Sequence, residues 1–189
     1  MRVIFKNGKL SVFIALREKL PPFQEISSFF ATIVFVVYGW TSVAFFWKVP
    51  SWMYFLSASE IVVIFAYLLV SSLLESAVIL IVFLVAGLAL PADWLRNKFV
   101  VRSSIIFFSL ALWVALFDMG SPAPIPTDRD MLSFFVGFPL TAGLGILSSI
   151  RLPSVDRFMT FVGDQLIVFL YLWIPLSLMG LLIVLLRNI

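Results

Sequence analysis

The sequence predicts an all-α fold, a polytopic bundle of membrane-spanning helices. Hydrophobic residues make up 62% of the 189 residues and charged residues only 12%, whereas a soluble domain is about half apolar and a quarter charged. Apolar runs of membrane-spanning length recur from Phe29 to Leu186. The basic residues after the N-terminal segment lie at the edges of these runs, as membrane topology requires. Inside lipid, such runs satisfy their peptide groups as helices.

The first 28 residues are a separate N-terminal segment, because they carry five basic side chains and no stretch long enough to span. This basic character predicts a cytoplasmic N-terminus. The pair Asn7-Gly8 between two short apolar runs is typical of a tight β-hairpin turn, so a hairpin on the membrane surface is one expectation. An amphipathic helix through Leu10–Leu20, lying in the interface, is the alternative.

Residues 29–189 are predicted to form one transmembrane domain of six helical segments. Their approximate bounds are 29–47, 52–70, 73–90, 103–117, 131–150 and 158–186. The second and third divide a run of thirty-nine residues that contains only two charges. One helix of that length would measure about 58 Å, which exceeds the bilayer, so a turn is expected at Ser71-Ser72.

The number of membrane crossings is five or six, because length and charge disagree. Length favours two spans within residues 52–90. Charge favours one, since five crossings leave ten basic residues inside and three outside, whereas six crossings leave seven and six. A long tilted helix after an interfacial turn at Trp52–Glu60 would give the odd number. One span plus a re-entrant piece covered by protein would also give it.

Small residues predict where helices pack closely. Gly137, Gly143 and Gly145 lie in the segment richest in small side chains, and such residues let helix backbones approach each other in lipid. The last segment contains Pro175, which removes a backbone hydrogen bond and predicts a kink.

Three carboxylates are the candidate site residues, because an ionisable group inside a membrane costs about 2.5–3.5 kcal/mol and is often functional. They are Glu60, Glu75 and Asp164. All three are candidates for intramembrane polar or partner contacts, and Glu75 is the candidate for proton or cation handling. The alternatives are structural: Glu60 as a first-turn acid, Glu75 as the cap of a helix starting near Ser76, and Asp164 in the headgroup layer. No catalytic residue is predicted.

The chain contains no Cys and no His, which removes the usual ligands of zinc, haem, copper and iron–sulfur clusters. It also removes Ser-His and Cys-His nucleophile pairs. No metal site is therefore predicted, the cofactor is left open, and bound lipid is expected. A nucleic-acid partner is rejected, because the sequence has no basic run interleaved with aromatic residues.

The scarcity of intramembrane polar groups predicts a non-catalytic subunit or assembly partner of a larger membrane complex. Its partners would be membrane lipids and other integral membrane subunits, in a bacterial inner membrane. The alternative is a small transporter or channel component that uses Glu60 and Glu75. A third class, an enzyme acting on lipid-linked substrates, would need interfacial carboxylates, whose spacing here matches no motif.

Overall fold

A computed structural model of the chain describes residues 20–90, 95, 98–120 and 128–188. Within these ranges there are five α-helices and no strand: α1 (Phe23–Trp52), α2 (Ala58–Ala89), α3 (Phe99–Gly120), α4 (Asp128–Arg151) and α5 (Pro153–Asn188). All five are long and apolar enough to cross a membrane. The predicted all-α class is confirmed for the described residues. The predicted hairpin and its helical alternative fall almost entirely in residues 1–19, outside those ranges.

The six predicted segments are not confirmed, because residues 58–89 form one helix where two were expected. Ser71 and Ser72 lie inside α2 and not at a turn. Serine can occupy the interior of a helix because its hydroxyl can form hydrogen bonds while the backbone stays helical. The Ser76 hydroxyl donates to the Ser72 carbonyl at 2.7 Å, and the Ser72 hydroxyl donates to Thr41 Oγ1 of α1 at 3.1 Å.

The break between the first two helices lies at residues 53–57, within the interfacial turn that the charge distribution favoured. Five helices also agree with the odd number of crossings that this distribution favours. α1 begins at Phe23, directly after Pro22, and not near Phe29. Its first turns therefore include Glu25 and Ser28, which the sequence analysis had placed in the N-terminal segment.

α1 packs against α2, α3 and α5, whereas α4 packs mainly against α3. The fully buried Phe29 of α1 makes edge-on ring contacts with Phe83 of α2 and Phe99 of α3, with centroids 4.9 and 5.4 Å apart. Further along α1, Val34 and Tyr38 pack with Leu69 of α2. Through these contacts, successive stretches of α1 contribute side chains to the core.

Candidate functional site

Glu75 occupies an unusual position, near the midpoint of α2 and on its outward face. It lies about 26 Å along the helix from Ala58 and about 21 Å from Ala89, at a rise of about 1.5 Å per residue. The side chain is exposed. Within the described part of the chain, no hydrogen bond or ion pair engages its carboxylate. In a helix that spans a bilayer, this position is the middle of the hydrocarbon.

The surface around Glu75 forms a continuous stripe, which we call the α2 outer face. Its members are all exposed and recur at helical spacing: Tyr67, Ser71, Glu75, Val78 and Val82. Spacings of three and four residues place them on one side of the helix. The Tyr67 hydroxyl accepts a hydrogen bond of 3.0 Å from the Asn188 side-chain amide at the end of α5. The stripe thus carries two hydroxyls and one carboxylate between apolar side chains.

Glu60 has a structural role at the start of α2. Ser57 is the N-cap; its hydroxyl accepts from the Glu60 backbone N–H at 3.4 Å, while the Glu60 carboxylate accepts from the Ser57 N–H at 2.8 Å. This reciprocal pair is a capping box. Glu60 and Glu75 share the exposed side of α2 but are about 22 Å apart along it. The structure does not bring them together.

Asp164 lies on α5, where it accepts a hydrogen bond of 2.8 Å from the hydroxyl of Ser28. Ser28 is buried in α1, and the neighbouring Gly163 lets the two helices approach, since a Cβ there would lie 3.4 Å from Ser28 Cβ and 3.3 Å from Val100 Cγ1 of α3. Asp164 therefore joins α5 to α1. It lies on a different helix from the two glutamates and contributes to no common site with them.

Polar groups that sequence reasoning missed lie where α1, α3 and α5 begin. Lys98 and Asp156 form an ion pair of 2.7 Å, and the Phe99 N–H donates to the Glu25 carboxylate. Acidic residues in the first turns of helices are stabilised by the helix dipole, and that signal was present in the sequence. Because these residues are far apart in the sequence, the sequence did not show that they lie close together in the fold. These two contacts join the N-terminal ends of α1, α3 and α5.

The predicted packing glycines of α4 differ in what they face. A Cβ on Gly137 would overlap the indole of Trp113 on α3, and a Cβ on Gly145 would meet Ile105 of the same helix. Gly143 has nothing within 4 Å of its Cβ position. The Trp113 indole N–H also donates to Thr141 Oγ1 at 3.1 Å. We call this contact region the α3–α4 seam.

A hydroxyl cluster joins the three most closely packed helices. The Tyr38 hydroxyl of α1 lies 2.6 Å from Ser177 Oγ of α5 and donates to the Leu69 carbonyl of α2 at 3.2 Å. Nearby, Gly180 of α5 lies against the backbone of Ala66, whose carbonyl oxygen would be 3.1 Å from an added Cβ. The cluster satisfies buried hydroxyls and holds the helices in register. It contains no charged group.

An apolar groove of about 310 Å³ opens between the end of α3 and the start of α4, lined by Phe117, Met131, Phe134 and Phe135. Its lining suits a hydrocarbon chain and offers no polar group for chemistry. The expected bound lipid stays a prediction. Among the described residues, no three carboxylates are grouped so that they could hold a metal ion.

The five long apolar helices indicate a membrane protein whose described interior is held by hydroxyls and aromatic rings. Comparison of the chain with protein-family models, curated proteins and solved structures finds no match. Its function therefore has to be argued from the placement of its own polar groups.

Proposed function

We propose that this chain is a non-catalytic integral membrane subunit that assembles with other membrane subunits. The observation that supports this role is the outward-facing Glu75 at the middle of α2. In a lone chain this carboxylate would face lipid, at a cost of about 2.5–3.5 kcal/mol on the insertion scale. Intramembrane ionisable groups normally face a bundle interior or a partner. A neighbouring subunit over this face would make Glu75 an interior residue of the complex.

The interior of the described bundle supports the same role. Its buried polar residues, apart from Tyr38, are serines and one threonine: Ser28, Thr32, Ser72, Ser76, Ser103, Ser104, Ser149 and Ser177. No Asp, Glu, Lys or Arg residue of the described ranges is buried as a whole, and the single buried atoms of Glu25, Arg102 and Asp156 lie near the starts of α1, α3 and α5. A catalytic centre or an ion pathway needs charged or strongly polar groups in a protected site. The interior instead provides interhelical contacts, which is what a subunit with a structural role requires.

Transport is the alternative that Glu75 favours, since intramembrane carboxylates also carry protons and cations. Glu60 and Glu75 both lie on the exposed side of α2. A pathway containing both would need a second chain to form its other wall, so this role also depends on assembly. Replacing both residues by Gln should abolish flux in proteoliposomes that contain the whole complex. Unchanged flux would reject the transport role.

We further propose insertion in a bacterial inner membrane with the N-terminus in the cytoplasm. Five crossings place ten basic residues on the N-terminal side and three on the other, which is the usual inside excess. The chain has no native cysteine, so single cysteines report topology directly. In intact cells a membrane-impermeant maleimide should label Met53→Cys in the α1–α2 turn. It should label Leu152→Cys, before α5, only after permeabilisation.

Native gel electrophoresis after mild detergent extraction tests the proposed assembly. The tagged chain should migrate in a complex well above its own 21.3 kDa plus detergent, with the same partner chains identified by mass spectrometry in independent extractions. The matched control is an unrelated tagged membrane protein of similar size, extracted in parallel. A lone monomer in every mild detergent would contradict the proposal.

A further inference from the structure

We propose that the α2 outer face binds a transmembrane helix of a different chain, one that carries Lys or Arg at the depth of Glu75. This inference rests on the proposed role as a subunit and specifies the chemistry of the partner.

The shape of the α2 outer face suits a helix laid along it. From Tyr67 to Val82 the exposed stripe extends about 22 Å, most of the roughly 30 Å thickness of the hydrocarbon core. Ser71, Val78 and Val82 are shorter than the exposed Leu74 and Ile81 beside the stripe, so a second helix can lie along the stripe on both sides of the carboxylate. The position of Glu75 within the stripe fixes the depth at which the partner needs a complementary group.

The identity of that group follows from charge complementarity. Lipid acyl chains offer no hydrogen-bond donor to a carboxylate, whereas an ammonium or guanidinium group offers several and the opposite charge. The hydroxyl of Ser71, one turn from Glu75, can accept a remaining hydrogen bond. A basic side chain on the partner would therefore donate hydrogen bonds to the carboxylate, and it would itself be shielded from lipid.

The described helices of a second copy of this chain do not supply such a side chain at the depth of Glu75. In the helices, every Lys and Arg lies near a helix end, and α2 contains none: Lys48, Arg102, Arg129, Arg151, Arg157 and Arg187. Copies that cross the same membrane would place these residues at its surfaces, far from the depth of Glu75. We therefore assign the complementary charge to a different chain.

Synthetic transmembrane peptides test the predicted partner chemistry. The full-length protein is labelled with a fluorescent donor and reconstituted in phosphatidylcholine vesicles with acceptor-labelled Leu/Ala peptides of about 20 residues, whose central residue is Lys or Leu. The Lys peptide should associate about tenfold more tightly than the Leu peptide, a factor typical of polar contacts between helices in lipid. Glu75→Gln should remove most of this preference.

Glu60→Gln is the matched control, because it makes the same change on the same helix and glutamine still completes a capping box. It should keep the preference for the Lys peptide. Equal association of the two peptides with the unaltered protein would overturn the inference. So would energy transfer between two labelled copies of the chain that is lost in Glu75→Gln, since the occupant would then be a second copy.

Chemical protection in the native membrane separates this inference from the proposed function. Dicyclohexylcarbodiimide, which reacts with carboxyl groups inside bilayers, should modify Glu75 in the purified chain reconstituted alone but not in native membranes. Equal modification in both, with the native complex intact on gels, would overturn the inference and leave the subunit role standing. Absence of any native complex would overturn the subunit role itself.

Discussion

α1 and α4 are both apolar helices of membrane-spanning length, yet they occupy opposite kinds of position. In the most apolar stretch of α1, 39% of the residues are buried within the chain, against 6% in α4. α1 reaches three other helices through Phe29, Tyr38 and Thr41, whereas α4 is held mainly by the α3–α4 seam. Because overall hydropathy is high in both helices, their different burial follows from contacts made by particular polar, aromatic and small side chains.

Removing an aromatic ring should show the largest difference between the two helices. Phe29→Ala empties a fully buried site surrounded by three phenylalanine rings and should lower the free energy of unfolding by about 3 kcal/mol. Phe135→Ala on α4, where the ring is 71% exposed, should lower it by less than about 1 kcal/mol. Unfolding in mixed dodecylmaltoside and dodecylsulfate micelles, followed by tryptophan fluorescence, measures both. Equal losses of unfolding free energy in the two variants would contradict the conclusion that α1 is packed inside the chain more extensively than α4.

Enlarging the glycines of α4 should show which of its sides is packed. Gly137→Leu forces the added side chain into the indole of Trp113 and should lower the free energy of unfolding by about 2 kcal/mol, as overpacking does. Gly143→Leu adds the same atoms where nothing lies within 4 Å, so it should change this free energy by about 0.5 kcal/mol or less. The same unfolding measurement applies. A larger loss in Gly143→Leu would place a packed surface on the other side of α4.

Deleting single hydrogen bonds should give the smallest changes in unfolding free energy. The change should still be larger at Tyr38 of α1 than in the α3–α4 seam. Tyr38→Phe removes the hydroxyl between Ser177 and the Leu69 carbonyl and should cost about 1 kcal/mol of unfolding free energy, within the range for bonds between membrane helices. Trp113→Phe removes the one bond to Thr141, together with some packing of the larger ring. A double-mutant cycle with Thr141→Val isolates the hydrogen bond, whose coupling should be about 0.6 kcal/mol. A Trp113–Thr141 coupling energy larger than the loss of unfolding free energy in Tyr38→Phe would contradict this order.

The sequence predicted the candidate site unevenly, and the reasons are physical. Glu75 was identified because a charge in a long apolar run is visible without a structure. Its alternative interpretation as a helix cap fails, because α2 continues through Ser71, Ser72 and Ser76. These serines looked like a junction, but their hydroxyls bond to a backbone carbonyl or to a neighbouring helix. Trp113 was missed because a tryptophan within an apolar run carries no sign of the glycine it covers.

The amino-acid sequence was sufficient to predict that the described chain is helical and that its helices are suited to a membrane, because long uncharged runs leave the peptide groups no partners in lipid except each other. The charge distribution also favoured a single crossing within residues 52–90. Which helix faces pack together, and that Glu75 points outward, became visible in the three-dimensional arrangement of the helices. The physical reason is that apolar side chains surround these helices on all sides, so the pattern does not distinguish a face against lipid from a face against protein.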